Sequence, residues 1–225
     1  MERSSARTTA NRYCAQLRTM FNRALDWHTY DGPNPVEKIK FYRESSEVRG
    51  YSEESVRRLL CAARAISEAP DPDSPVQKYW HDMVILVLNT GLRRTELLNL
   101  KWRDVQDREL RITGKGNRRR TIPLNDAAQE VLARQVRHDS YLWELPNRSQ
   151  TGILRRTFEH MRRLTGEDFK LHRLHHTFAT SLLAAGIDIV TIADILGHGR
   201  VLTSLLYSHS SPERLRQAVN SIKND

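Results

Sequence analysis

The segment ELRITGKGNRRRTIPL, residues 109–124, restricts the fold of this chain more than any other feature. Its apolar and polar residues alternate on both sides of a glycine-containing turn, which predicts a β-hairpin. Apolar residues elsewhere recur mostly at helical spacing, as over 8–28. After Asn125 the helical pattern returns and continues nearly to the end. The sequence therefore predicts a mainly α-helical chain with one small antiparallel β-sheet or hairpin, an α+β fold.

Helix boundaries are marked by capping residues. Ser52 precedes two glutamates, which are favourable at the positive end of a helix. Ser74 and Pro75 predict the cap and first turn of a second helix, and Gly91 predicts its end. The segment VILVLNTG within that helix is apolar enough for the domain centre. Later helix caps are predicted at Asp188 and at Ser210 or Ser211.

Turn residues divide the chain into parts. Residues 31–35 are rich in Asp, Gly, Pro and Asn and are followed by charged residues, as expected of a linker. We therefore predict an N-terminal helical part over 1–31, a linker over 32–50 and a larger domain over 51–225. A short amphipathic helix is predicted at the end of the larger domain, over 211–223.

Composition favours an anionic partner. Lys and Arg number 36 against 27 Asp and Glu, a net charge of +9, and nucleic acid is the commonest partner for such a chain. The alternative is an ordinary basic surface. Cys14 and Cys61 lack metal-site or redox spacing and fit small core residues in a reducing compartment. With no apolar stretch of membrane-spanning length and no apolar signal segment, we expect a soluble cytoplasmic protein with no membrane partner.

The segment TGLRRTELLNL, residues 90–100, places an arginine and a glutamate one helical turn apart. Arg93 stands where one helix stops and the next begins, and Glu96 follows on the same face. A carboxylate can hold such a guanidinium rigidly, and a guanidinium fork can grip two phosphate oxygens. Taken alone, the pair fits a surface ion pair better.

The predicted hairpin tip, GKGNRRR, carries Lys115 between two glycines. Glycines let the backbone approach a ligand, and the lysine could reach a neighbouring groove. The alternative is a solvated basic turn. The glycines do not form a nucleotide-binding fingerprint, because no strand-to-helix context follows them.

Two further segments carry histidines. His172, His175 and His176 lie at the start of one helix, where a metal site is an alternative, although no Cys, Asp or Glu completes a ligand set nearby. His198 follows a helix-ending glycine, and Tyr207 lies nine residues further on. In isolation that tyrosine would be read as a core residue.

Together these segments resemble the tyrosine recombinase (phage integrase) family. TGLRRTELLNLKW, GKGNRRRTIPL, LHRLHHTFATSLLAAGID and ILGHGRVLTSLLY match the motifs of its catalytic domain in order and spacing. The resemblance covers 51–225, and residues 8–45 look like the final helix of the family's core-binding domain with its linker. It implies that 1–31 is the C-terminal helix of a truncated core-binding domain.

The resemblance implies DNA strand cleavage and rejoining through a 3′-phosphotyrosyl intermediate, without metal, ATP or other cofactor. It implies that Tyr207 is the nucleophile, Arg93 neutralises phosphate oxygens, Lys115 is a general acid, and Glu96 orients the site. His172 and His198 match the histidines that hydrogen-bond the phosphate or assist proton transfer. Further contacts with double-stranded DNA are expected from Arg118, Arg119, Arg120 and Arg173.

One position departs from the family pattern. The family reads H-x-L-R-H, but this chain has His175 where the second catalytic arginine is expected. Histidine has fewer donors and an ordinary pKa near 6.5. Losing one preorganised donor typically lowers the rate by about 10²–10³. Three interpretations stay open: an introduced substitution that blocks cleavage, a decayed or regulatory recombinase, or an imidazolium that works better at low pH.

The resulting hypothesis is a site-specific recombinase of prokaryotic or phage origin, acting at the nucleoid, with activity impaired by His175. The alternative is a DNA-binding homologue that does not cleave. A type IB topoisomerase fits the motif spacing less well, and a metal-dependent nuclease would need carboxylate ligands. The resemblance implies that family members hold DNA between two domains, and most of the first domain is expected to be missing here. We therefore predict weak, salt-sensitive DNA binding. The helix over 211–223 is expected to dock onto a neighbouring protomer in a homo-oligomer on DNA.

Overall fold

A computed structural model describes residues 2–42, 50–114, 119–137, 140–146 and 152–197. Contacts divide the chain into two units, Met1–Glu47 and Val48–Asp225. None of the described helices is long and apolar enough to cross a membrane.

The first unit consists of helix α1, Glu2–Asp26, and the segment that returns along it. Arg18 fixes this return, because its guanidinium donates to the backbone carbonyls of Val36, Glu37 and Ile39 at 2.9–3.2 Å. Asn34 adds a second tie by donating to the carbonyl of Arg18 at 3.0 Å. The return segment is therefore held by polar groups of α1.

The described part of the second unit contains the other helices and a three-stranded antiparallel sheet of order β1-β2-β3. Its helices are α2 Glu53–Glu68, α3 Trp80–Thr90, α4 Arg94–Leu98, α5 Asp126–Arg134, α6 Arg155–Thr165, α7 Leu171–Ala184 and α8 Ile189–Leu196. Its strands are β1 Val105–Gln106, β2 Glu109–Thr113 and β3 Arg119–Pro123, and two 3-10 helices span Pro75–Tyr79 and Trp102–Asp104. The prediction of a mainly helical chain with a small antiparallel sheet is confirmed.

Helix α3 lies at the centre of this unit and contacts α2, α5 and α7. Its apolar sequence explains the position, because residues such as Val84, Leu86 and Val87 are completely buried. Trp80, at the start of α3, makes edge contacts with the ring of Phe169, at 5.7 Å between centroids. The packing of α3 in the core therefore fixes the positions of the residues at both of its ends.

Several predicted boundaries are confirmed. Ser52 caps α2 by accepting a hydrogen bond from the backbone N–H of Ser55, and Asp188 caps α8 through Val190 and Thr191. Gly91 ends α3 in the left-handed conformation, at φ 62°.

Other expectations are confirmed only in part or are wrong. Pro75 does begin the helical segment that ends at Gly91, but its first part is a 3-10 helix before α3. Ser74 makes no capping hydrogen bond; it is buried with its hydroxyl 3.3 Å from that of Thr157. The helical pattern after Asn125 does not continue through 135–154, where the described residues are irregular. Leu142 and Trp143 are nevertheless buried, because backbone hydrogen bonds tie this segment to the residues after α4: the Leu142 N–H donates to the carbonyl of Leu100, and the Trp102 N–H donates to that of Ser140. The cysteines are not core residues, since Cys14 is half-buried and Cys61 exposed.

Candidate functional site

The junction between α3 and α4 positions Arg93. Gly91 turns the chain in the left-handed conformation, and Arg93 then precedes the first turn of α4 as its N-cap. The Glu96 carboxylate accepts from the Arg93 backbone N–H at 2.8 Å and from its guanidinium at 3.2 Å. A second guanidinium nitrogen donates to the carbonyl of Gly197 at 3.2 Å. Arg93 is thus held through its backbone N–H and through two nitrogens of its guanidinium.

A second arginine lies behind Glu96. Arg120 of β3 donates to both carboxylate oxygens of Glu96, at 2.8 and 2.6 Å, in a bidentate pair. Both side chains are buried, being 7% and 8% exposed. Burial alone would raise the pKa of Glu96, but the hydrogen bonds and charges of Arg120 and Arg93 hold it below its usual range. Glu96 is therefore an anion shared by two cations.

The end of α8 closes the same cluster. Arg120 donates through Nε to the carbonyl of Ile195 at 3.0 Å, and Gly197 ends the helix in the left-handed conformation, at φ 64°. A Cβ at Gly197 would lie 2.8 Å from the Cδ of Arg120. Strand β3, helix α4 and the end of α8 are consequently joined through two arginines and one glutamate.

Helix α7 places its histidines beside this junction. His175 is 1% exposed, and its Nδ1 lies 2.5 Å from the carbonyl of Gly91. Because a carbonyl only accepts, Nδ1 carries the hydrogen of this bond. The rings of His172 and His175 lie nearly parallel, with centroids 5.4 Å apart. His172 is more accessible; partial burial, together with the charge of Arg93, lowers its pKa.

Two of the arginines predicted to contact DNA differ in their surroundings. The guanidinium of Arg173 lies 3.9 Å from the ring centroid of Tyr51 and donates to the carbonyl of Gly50 at 3.4 Å. Through these contacts Arg173 joins the segment 50–51 to the start of α7. Arg119, by contrast, is exposed on β3.

The model of the phage integrase family matches residues 52–214 of the chain. The chain belongs to the phage integrase family, the tyrosine recombinases. It is 27% identical to the tyrosine recombinase XerC of Caldanaerobacter subterraneus subsp. tengcongensis, over 97% of this chain and 64% of that protein. It is 33% identical to XerD of Vibrio vulnificus, over 74% of this chain and 58% of that protein. The chain therefore spans less than two thirds of the length of these relatives.

A solved structure of the family has the same fold. The integrase of transposon Tn1549, in complex with circular intermediate DNA, superposes with a TM-score of 0.70 over 95% of this chain and 79% of that one, at 18% identity. The mostly helical unit with its small sheet is thus the tyrosine recombinase catalytic fold.

Within this fold, the structure brings together Arg93, Glu96, His172 and His175, which the sequence motifs had singled out. Several other predicted positions lie outside the described part of the chain: Lys115, Arg118, His198, Tyr207, Ser210, Ser211 and the helix over 211–223. Within the described part, no group of three His, Cys, Asp or Glu side chains is arranged to hold a metal ion.

The position of Arg120 corrects one expectation. Its guanidinium was expected at the DNA surface, but it is buried because Glu96 and the carbonyl of Ile195 take its hydrogen bonds. Strand alternation could have revealed this, since Arg120 pairs with the buried Ile112 and lies two residues before the buried Ile122.

Proposed function

We propose that this chain cleaves and rejoins DNA at specific sites through a 3′-phosphotyrosyl intermediate. Membership of the tyrosine recombinase family gives the reaction class. The observation that carries the proposal to this chain is the anchoring of Arg93. Its backbone N–H and guanidinium bind Glu96, while its second nitrogen binds Gly197. A guanidinium preorganised in this way costs little to orient when a phosphate arrives.

The proposed reaction is an exchange of one phosphodiester for another. The Tyr207 hydroxyl gives up its proton, for which His172 or His198 is the proposed acceptor, and its oxygen attacks the phosphorus. The bond to the 5′ oxygen breaks, and that oxygen leaves as a hydroxyl after accepting a proton. Lys115 is proposed as the donor of that proton. Arg93 neutralises the non-bridging oxygens, where negative charge collects in the transition state. The reverse attack by another 5′ hydroxyl rejoins the strand and restores the tyrosine.

The two other histidines of the motif, His172 and His198, are proposed to bind the phosphate or assist the proton transfers. A lowered pKa keeps His172 largely neutral at pH 7, so that one ring nitrogen can donate and the other accept. It therefore suits proton transfer better than charge neutralisation.

A second candidate function is DNA binding without cleavage. The supporting observation is His175, which fills the position of the family's second arginine and is buried with Nδ1 bonded to Gly91. A short ring tied to the protein backbone cannot replace a bidentate guanidinium aimed at phosphate. We therefore propose that the chain cleaves DNA slowly. The alternative is that it binds DNA and does not cleave it at all.

Covalent capture tests the main proposal. The probe is a pool of duplexes, each with a nick beside a randomised segment, so that cleavage releases a short fragment and cannot be reversed. Denaturation before recovery retains only DNA attached to protein, and sequencing then reveals the preferred site. The three proteins compared are this chain, Tyr207→Phe and His175→Arg.

The expected result is a covalent adduct with this chain, none with Tyr207→Phe, and faster formation by up to about 10²-fold with His175→Arg. An adduct from His175→Arg alone would instead support binding without cleavage by this chain. An adduct that persists in Tyr207→Phe would refute the assignment of the nucleophile. Absence of an adduct from all three proteins would refute the cleavage proposal.

We further propose that double-stranded DNA is bound mainly through phosphates, by a basic surface to which Arg118, Arg119 and Arg173 contribute. Support comes from the net charge of +9 and from the DNA complex of the related transposon integrase. Assembly into a homo-oligomer on DNA through 211–223 is part of the same proposal. Deleting that segment should abolish oligomers on DNA in analytical ultracentrifugation, and oligomers that survive the deletion would contradict it.

A further inference from the structure

The buried arginine behind Glu96 suggests a role that the family motifs do not give it. We propose that Arg120 is a positioning residue for Arg93, acting through Glu96 and through the end of α8. This inference rests on the proposed function, in which Arg93 binds the phosphate that is cleaved. Arg120 itself is too buried, at 7% exposure, to contact DNA.

The division of hydrogen bonds at Glu96 supports this role. Arg120 occupies both oxygens with bonds of 2.8 and 2.6 Å, while the guanidinium of Arg93 donates one longer bond of 3.2 Å. A buried carboxylate needs a close cation to offset its loss of hydration. Without Arg120, Arg93 would be the remaining partner and would close onto Glu96. Its guanidinium would then be turned away from a phosphate.

The second link runs through α8. Arg120 binds the carbonyl of Ile195, and Arg93 binds that of Gly197, two residues further on. The glycine leaves space for the aliphatic part of Arg120, since a Cβ there would lie 2.8 Å from its Cδ. One guanidinium therefore fixes both the carboxylate and the helix end to which Arg93 is bound. Groups that orient a ligand from behind typically change function by about 10–100-fold when removed, as at metal centres.

The test compares Arg120→Gln and Arg120→Lys with the matched control Arg111→Gln. Arg111 lies exposed on β2, next to the residue paired with Arg120, so the control removes the same charge from the other face of the sheet. The probe is the duplex recovered by covalent capture, at saturating concentration in a single turnover. In parallel, the dissociation constant for the same duplex and the temperature of thermal unfolding are measured for each variant. The complex of the duplex with Tyr207→Phe serves as the reference for binding.

For Arg120→Gln we expect capture to slow by about 10–100-fold while the dissociation constant for DNA changes less than about twofold. Arg120→Lys keeps the charge but not the bidentate geometry, and should fall between it and the unmodified chain. Capture by the double variant Glu96→Gln, Arg120→Gln should be no slower than capture by the slower of the two single variants, because both substitutions act through Arg93. A purely structural role would lower the unfolding temperature and leave the rate in folded protein unchanged.

The pKa of His172, measured by NMR without DNA, gives a readout independent of cleavage. The charge of Arg93 helps to lower this pKa, so movement of Arg93 toward Glu96 should raise it in Arg120→Gln and leave it unchanged in Arg111→Gln. An unchanged capture rate, or multiplying losses in the double variant, would overturn the proposal. If the unmodified chain forms no adduct, the proposed function fails separately, and an unchanged pKa of His172 would then overturn the positioning role.

Discussion

Replacing Gly91 with alanine should destabilise the second unit far more than the same change at Gly166. Both glycines end helices in the left-handed conformation, at φ 62° and 69°. A Cβ at Gly166 meets nothing within 4 Å, whereas at Gly91 it would lie 2.5 Å from Phe178 and 2.7 Å from Leu196. Comparing the two substitutions therefore separates the free-energy cost of the left-handed backbone from the cost of overpacking.

The magnitudes follow from these two terms. The left-handed conformation costs a non-glycine residue roughly 1–2 kcal/mol, which is the whole expected loss for Gly166→Ala. Overpacking adds about 1–3 kcal/mol at Gly91, so Gly91→Ala should lose about 2–5 kcal/mol. The change would also move the carbonyl that binds His175, and with it the histidine cluster.

Urea unfolding followed by tryptophan fluorescence provides the measurement, because Trp80 and Trp143 are buried in this unit. The midpoint should decrease much more for Gly91→Ala than for Gly166→Ala, with similar slopes. Losses that agree within about 0.5 kcal/mol would refute the overpacking argument. A larger loss at Gly166 would refute the comparison of their surroundings altogether.

Three further predictions concern stability and binding. Ser52→Ala should lower the free energy of unfolding by about 1 kcal/mol and Ser52→Gly by only a few tenths, since glycine is a tolerated N-cap; equal losses in urea would contradict this. Burial lowers the pKa of His81 and contributes most to lowering that of His172, so the unfolded chain binds more protons than the folded chain below pH 6.5. Stability should therefore fall as the pH decreases from 7 to 5, and a rise in the unfolding temperature over that range would contradict this prediction. Arg119→Gln should reduce the salt dependence of DNA binding by about one unit in log–log slope, and an unchanged slope would remove Arg119 from the phosphate contacts.

Acid stability should decrease further below the range of the histidines. Because Glu96 has a lowered pKa when folded, its contribution is present above the ordinary glutamate pKa of 4.5 and is lost as the pH falls through the lower folded value. Glu96→Gln should flatten this part of the stability profile measured by urea unfolding. A profile with an unchanged slope below pH 4.5 would show that other carboxylates dominate it.

The sequence by itself determined the local elements and the order of the motifs. Alternation over 109–124 specified two strands, and the caps Ser52 and Gly91 specified helix ends, because these signals depend on neighbours a few residues apart. The same locality placed Arg93 and Glu96 one turn apart on a short helix. Family membership followed from the motifs in register, which need no knowledge of how they pack.

Only the tertiary structure decided which partners the functional residues have. Arg120 lies 24 residues from Glu96 and 75 from Ile195, and His175 lies 84 residues from the carbonyl of Gly91. No local periodicity encodes such pairings, because they depend on how β3, α4, α7 and α8 pack together. Burial then changes their chemistry: the same arginine that would bind phosphate at a surface must, once desolvated, pair with a carboxylate.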